Sequence, residues 1–147
     1  MNIAVVGHRG SGKTTLCHRL AGFDAPVHPG GTQTLNYVGC KWNNKDVLIW
    51  DFPPGFSPET LTFLDDIVHV VVCVDGLRNE STRSCLMALE ELFDGNVSVA
   101  VTKASLRTVC LPFVFFGANH SGKVADLFFC AYDCRRLRNS IISNSSA

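Results

Sequence analysis

Short apolar runs and longer amphipathic ones alternate along this chain. Ile3–Val6, Val47–Trp50, Ile67–Val74, Val97–Val101 and Pro112–Phe116 are four to eight residues long and mostly β-branched or aromatic. Runs of that length and composition predict strands, and Ile67–Val74, apolar except at His69, predicts a central strand buried on both faces. His69 is expected to be a packed core or edge histidine. Leu16, Leu20 and Ala21 predict the buried face of a short helix that Gly22 stops. Ser57-Pro58-Glu59 opens another short helix to about Leu64, with Ser57 as its cap and proline at the first helical position. Cys85, Leu86, Leu89, Leu92 and Phe93 repeat at helical spacing over Glu80–Phe93, which Asp94-Gly95 ends. The final helix is predicted over Lys123–Arg138, burying Val124, Leu127, Phe128, Ala131 and Tyr132, with a frayed polar tail over Asn139–Ala147. The domain is therefore placed at 1–138 and the tail at 139–147.

Two β-leaning segments, Leu35–Trp42 and Asp46–Asp51, flank Asn43-Asn44-Lys45, which predicts a hairpin at the sheet edge. Only the six residues Leu106–Leu111 separate the loop Thr102–Ser105 from Pro112. A crossover between parallel strands takes about a dozen residues or more. Either this connection is tight and irregular, or the last two strands are not a standard parallel pair. The whole predicts an α/β doubly wound, mostly parallel sheet with helices on both faces, shortened between its last two strands, with ligands at the strands' carboxyl ends.

With 147 residues the chain is one domain with room for a core. Thirteen basic side chains balance thirteen acidic ones, which argues against a general nucleic-acid or anionic-membrane surface. No apolar run approaches a membrane span. The start runs directly into a strand, and neither end carries a lipidation motif, so no targeting segment or direct membrane anchor is expected. Seven cysteines without a C-x-x-C pair, an odd count, predict reduced, structural thiols and a cytoplasmic location.

The chemistry concentrates after the first strand. GHRGSGKT, Gly7 to Thr14, matches G-x-x-x-x-G-K-[ST] at every position, with a strand before it and a helix after it. Glycines let the backbone wrap tightly enough to point several N–H groups at a phosphate, and the following helix adds its positive end. The residues expected to cradle phosphate are Gly7, His8, Arg9, Gly10, Ser11, Gly12, Lys13, Thr14 and Thr15. Lys13 would reach the β- and γ-phosphates, and the Thr14 hydroxyl would ligate Mg²⁺. Arg9 would contact phosphate, obstruct a partner's arginine, or simply face solvent. Asp51 closes an apolar strand about forty residues later, where P-loop proteins bring a carboxylate to the Mg²⁺ shell.

The order of motifs resembles the Ras-like small GTPases over nearly the whole chain: GHRGSGKT, then WDFPPGF, VTKAS and FGANHSGKVADLF. Thr32, Leu35-Asn36, Trp42 and Trp50-Asp51 reproduce the first-switch spacing of the ADP-ribosylation-factor-like branch. A second resemblance, with a poorer switch fit, is to short bacterial GTPases of ethanolamine and propanediol utilisation. The resemblance implies GTP or GDP as ligand with Mg²⁺, and a molecular switch or scaffold with a protein effector or assembly partner, monomeric alone. It implies Thr32 (or Thr34) as the switch threonine at Mg²⁺, Thr102 and Lys103 lining the base, and the N–H of Ala118, beside Asn119, on the guanine oxygen.

Three departures shape the expected activity. Pro53 and Pro54 stand in the D-x-x-G segment, so the usual glycine N–H to the γ-phosphate is lost unless a one-residue slip brings Gly55 into that role. No water-positioning Gln follows, and no catalytic residue is assigned; hydrolysis is expected to be slow or absent. Ser105 replaces the carboxylate that pairs with guanine. A helix between base loop and last strand is missing on this reading, with the surface it would show to partners. Two other classes compete: a nucleotide-independent pseudo-GTPase binding module, and a P-loop phosphotransferase. The latter needs acceptor-binding arginines, yet Arg135, Arg136 and Arg138 cluster only near the C-terminus.

Overall fold

The computed structural model describes residues 1–23, 34–54, 66–75, 93, 95–102 and 126–145. Six strands and two helices are built from them: β1 (Asn2–Gly7), α1 (Lys13–Ala21), β2 (Asn36–Trp42), β3 (Lys45–Asp51), β4 (Ile67–Asp75), β5 (Asn96–Thr102), β6 (Asp126–Phe129) and α2 (Cys130–Ser145). They form one sheet in the order β2-β3-β1-β4-β5-β6, parallel except for β2. The helices expected at 57–64 and 80–93 lie outside the described residues, apart from Phe93.

Alternation along the strands builds two apolar faces. Ile3, Val5, Ile49, Val71, Cys73 and Ala100 meet Leu16, Cys17 and Leu20 of α1 and Leu137 and Ile141 of α2. Ala4, Val6, Phe52, Val70, Val72, Val74 and Val99 form the core of the opposite face. β4 lies between β1 and β5, as its β-branched run requires. His69 is a core residue on it, its Nε2 2.8 Å from the Ser98 hydroxyl of β5.

The edge hairpin turns at Asn43 and Asn44, whose φ angles of 49° and 64° put both in the left-handed region that a two-residue type I′ turn demands. Asparagine tolerates it. Trp42, at the end of β2, donates its indole N–H to the Leu20 carbonyl at 3.2 Å and so clamps the hairpin to α1. Gly22, at φ 88°, ends α1: its N–H bonds the Arg19 carbonyl at 3.1 Å, and the Phe23 N–H bonds the His18 carbonyl at 2.8 Å. That pair of bonds is a Schellman close.

The C-terminal third differs from the sequence expectation. Asp126–Phe129, expected inside a helix, is a strand paired in parallel with Ser98–Val101. Leu, Phe and Phe in succession favour a strand, and without this pairing β5 would leave a row of backbone groups unmatched. Of the apolar positions read as one helix, Leu127 and Phe128 lie in β6 and Ala131 and Tyr132 in α2, while Val124 lies outside the described residues. The connection from Thr102 to Asp126 spans the 23 residues 103–125, enough for a parallel crossover. The segment on which the expected shortening and the missing helix depend, residues 103–125, lies outside the described residues. The strand expected at Pro112–Phe116 lies outside the described residues.

Nor is the chain frayed from Asn139. α2 continues to Ser145, and its buried stripe is Leu137 and Ile141, four residues apart and both fully buried, with Cys134 partly buried beside them. Asn96 of β5 donates to the Asn144 carbonyl at 3.4 Å, tying down the last turn. Among the described residues no helix is long and apolar enough to cross a membrane.

Ile141 is the position that separates the two descriptions of the C-terminus. Ile141→Ala is expected to cost about 2–4 kcal/mol in urea unfolding, as for a buried Ile with a residual cavity. A frayed tail would give a change within roughly 0.5 kcal/mol.

Candidate nucleotide-phosphate site

β1 ends at Gly7 beside Cys73 of β4. A Cβ on Gly7 would lie 2.4 Å from the Cys73 carbonyl oxygen and 2.9 Å from the Ser11 hydroxyl, so only glycine lets the chain pass here. The loop then folds around one acceptor, the His8 carbonyl. It takes the Ser11 N–H at 3.1 Å and the Lys13 Nζ at 2.6 Å. Gly10 and Gly12, at φ 75° and 89°, supply left-handed turns that other residues rarely adopt. The Cys73 thiol donates to the Ser11 carbonyl at 3.2 Å and fixes the loop to β4.

Helix α1 starts at Lys13 with its N-terminus prepared for an anion. Gly12 offers no side-chain cap and the first turn has no acidic residue, while His18 and Arg19 stand in the last turn. The first N–H groups of a helix need partners, and its positive end favours negative charge, so phosphate suits both. The His18 Nδ1 lies 2.9 Å from the Thr14 carbonyl. A carbonyl only accepts, so Nδ1 carries the proton.

Lys13 is the costly residue, only 4 % exposed. Its burial pushes the ammonium pKa below the ordinary lysine value, against the opposing pull of Cys73, Asp51 and Cys17. Burial likewise holds Cys17 well above the usual thiol range, reinforced by Asp51 and Cys73, so Cys17 remains a packed thiol rather than a nucleophile. Cys17 and Cys73 are buried and Cys40 and Cys134 partly so, and all four are thiols outside any disulfide.

Asp51 closes β3 opposite Val5 and is 3 % exposed. The chain stays bound to β1 one residue further, where the Phe52 N–H donates to the Val5 carbonyl at 3.1 Å. This delivers the Asp51 carboxylate to the start of α1, where the Thr14 hydroxyl donates to Oδ2 at 2.5 Å. A hydroxyl that gives its proton to a carboxylate keeps its lone pairs for a cation. Two hard oxygens beside a phosphate loop are the donor chemistry Mg²⁺ takes, and so these residues fit the ion.

The sheet thus brings Gly7–Thr15 and Asp51 together at one end. Thr102 ends β5, across from Asp75, at the same carboxyl end of the sheet. Thr34 is exposed ahead of β2, its carbonyl accepting from the Asn36 amide at 3.3 Å. Thr32, Gly55, Lys103, Ser105, Ala118 and Asn119 lie outside the described residues. The last described strand is followed by Cys130-Ala131, not by the segment that contains Ala118. Sequence reasoning missed Cys73, which hydrophobic pattern reads only as a core position.

A sequence profile described as 50S ribosome-binding GTPase matches residues 2–103, from β1 to just past β5. The chain belongs to this GTPase family. No curated protein matches it. The GTPase fold extends over the whole chain: a bacterial selenocysteine-specific elongation factor, EF-Sec, superposes with a TM-score of 0.75 at 17% identity, over 99% of this chain and 28% of its own. The GDP-bound RocCORdC unit of Methanosarcina barkeri Roco2 gives 0.66 at 20% identity, over 98% of this chain and 49% of its own. The chain therefore spans less than half the length of either, and at these identities the likeness is one of fold. Family membership implies guanine-nucleotide binding for this P-loop GTPase domain.

A lysine whose pKa is lowered by folding binds its proton less well in the native than in the unfolded state. Protonation therefore favours unfolding, and an uncharged chain of similar length removes that cost. Lys13→Met is expected to raise the melting temperature of the ligand-free GTPase domain if the burial cost of the ammonium outweighs its attraction to Asp51. The same variant is expected to lose the thermal shift on adding GDP and Mg²⁺. A lower ligand-free melting point would contradict this balance.

Proposed function

We propose that this chain holds GTP or GDP with Mg²⁺ and works as a molecular switch or scaffold whose intrinsic hydrolysis is slow. The observation that carries the reading is the Thr14–Asp51 hydrogen bond at the mouth of the phosphate loop, because it unites two motifs 37 residues apart around one ion-sized chemistry. When bound, Mg²⁺ would neutralise charge on the phosphates. Thr14 and Asp51 would hold it, with Thr32 (or Thr34) joining from the first switch. The backbone of Gly10–Thr15 and Lys13 would grip the phosphates.

The hydrolytic parts support a slow enzyme. Pro54 has no N–H to give if it stands for the switch glycine, and a one-residue slip would leave that role to Gly55. The segment Phe52–Phe56 offers no side chain to orient a water. Base recognition would rest on Thr102, Lys103 and the N–H of Ala118. Ser105 would contribute one neutral hydrogen bond where a carboxylate would contribute charge-assisted ones, a loss of about 1.5–3 kcal/mol. The spacing of Thr32, Asn36, Trp42 and Trp50 supports reading the switch region as the ADP-ribosylation-factor-like pattern.

A second reading, a pseudo-GTPase docking module, draws support from the sheet edge. Leu35, just before β2, and Tyr37, on it, are 41% and 60% exposed at the edge of the described sheet, and the Tyr37 ring lies against Trp50 with centroids 5.1 Å apart. Partners retained by a Lys13→Ala variant would favour that module over the switch.

Fluorescent GTP, GDP and ATP titrated with and without Mg²⁺ test the main reading. Saturable, Mg²⁺-dependent guanine-nucleotide binding that Lys13→Ala removes is expected; no binding by the wild type would end it. Ser105→Asp is expected to tighten GTP binding about tenfold and leave ATP unchanged, the increment for a charge-assisted pair. Equal gains for both bases would remove Ser105 from the base site.

A further inference from the structure

We propose that Cys73 is a positioning residue of the phosphate site, whose thiol sets the direction of the Gly12 N–H. The inference rests on the phosphate-binding reading above and adds a residue outside its motifs.

Three observations converge on Ser11. Its N–H is held by the His8 carbonyl at 3.1 Å, and its own carbonyl accepts from the Cys73 thiol at 3.2 Å. Ser11 is 1 % exposed and its hydroxyl lies where a Cβ on Gly7 would intrude at 2.9 Å, so the residue is wedged between β1 and β4. The peptide joining Ser11 to Gly12 is trans, because the described residues contain no cis bond. In a planar trans peptide the C=O and N–H point in opposite directions. Pulling the Ser11 oxygen down onto β4 therefore turns the Gly12 N–H up, away from the sheet and into the concave side of the loop. Gly12, at φ 89°, has the left-handed backbone that lets the next N–H groups follow into α1.

The donor suits its place. Cys73 is 1 % exposed among Ile3, Val5, Val71 and Ala100. A thiol packs there as a small apolar group and still provides a weak S–H donor. Alanine or valine would keep the strand and the packing but release the carbonyl. Serine would keep a donor.

The test compares Mg²⁺-GDP affinity of the full chain for the wild type, Cys73→Ala, Cys73→Val, Cys73→Ser and Lys13→Ala, with the Gly12 amide followed by NMR in the ligand-free proteins. Cys73→Ala and Cys73→Val are expected to weaken GDP about three- to tenfold, the consequence of one lost hydrogen bond. Cys73→Ser is expected to recover most of that affinity, and the Gly12 amide should move in the alanine and valine variants only. Wild-type affinity in Cys73→Ala, or a serine variant as weak as alanine, would overturn the proposal while loss of binding in Lys13→Ala left the phosphate site standing. If the wild type bound no GDP, the functional reading would fall by itself. The amide shift would still decide the positioning role: an unmoved Gly12 resonance in Cys73→Ala would refute it.

Discussion

The constraint behind this structure is the need to turn several backbone N–H groups inward within a few residues of a buried strand. Such a turn cannot form beside an ordinary side chain. Gly7 removes the Cβ that would collide with the Cys73 carbonyl, and Gly10 and Gly12 accept φ values closed to most residues. The His8 carbonyl then collects two donors, and α1 starts without a side-chain cap at Gly12. Everything else holds this turn still. β1 lies between β3 and β4, so the loop grows from the middle of the sheet, where movement is most restrained.

That arrangement sets function against stability. A lysine and an aspartate occupy positions where burial favours apolar groups, and the helix forgoes the cap that would otherwise stabilise it. The compensation comes from the helix-covered face. Leu16, Cys17 and Leu20 of α1 share one core with Leu137 and Ile141 of α2, so the C-terminal helix braces the helix that begins at the phosphate site. Trp42 adds a hydrogen bond from the edge hairpin to the end of α1. A chain cut before Ile141 would loosen this support at a distance from the site.

Much of this was legible in the residues. The loop motif, the strand ending in Asp51 and the Asn-Asn hairpin each have a local physical cause, and each appears where its cause predicts. The last strand was not legible, since apolar residues at 127, 128, 131 and 132 satisfy a helical period even though a strand and a helix divide them. Pairing with β5, a long-range contact, decides the matter. Cys73 was hidden for a similar reason: its partner Ser11 is 62 residues away, and nothing in a β-branched run marks one thiol as a donor.

Membership of the GTPase family joins an intact phosphate grip to altered surroundings. In the sequence Pro53-Pro54-Gly55 and Ser105 depart from the Ras-like motifs, whereas the fold brings Lys13, Thr14 and Asp51 together at the carboxyl end of the sheet. The central claim is that residues 7–15 bind the phosphates of a guanine nucleotide. The most direct measurement is the amide NMR spectrum of the protein during titration with GDP and Mg²⁺. Saturable shifts led by Gly10, Gly12, Lys13 and Thr14 would agree with it. A spectrum in which those amides stay fixed, or in which only resonances far from the loop move, would contradict it.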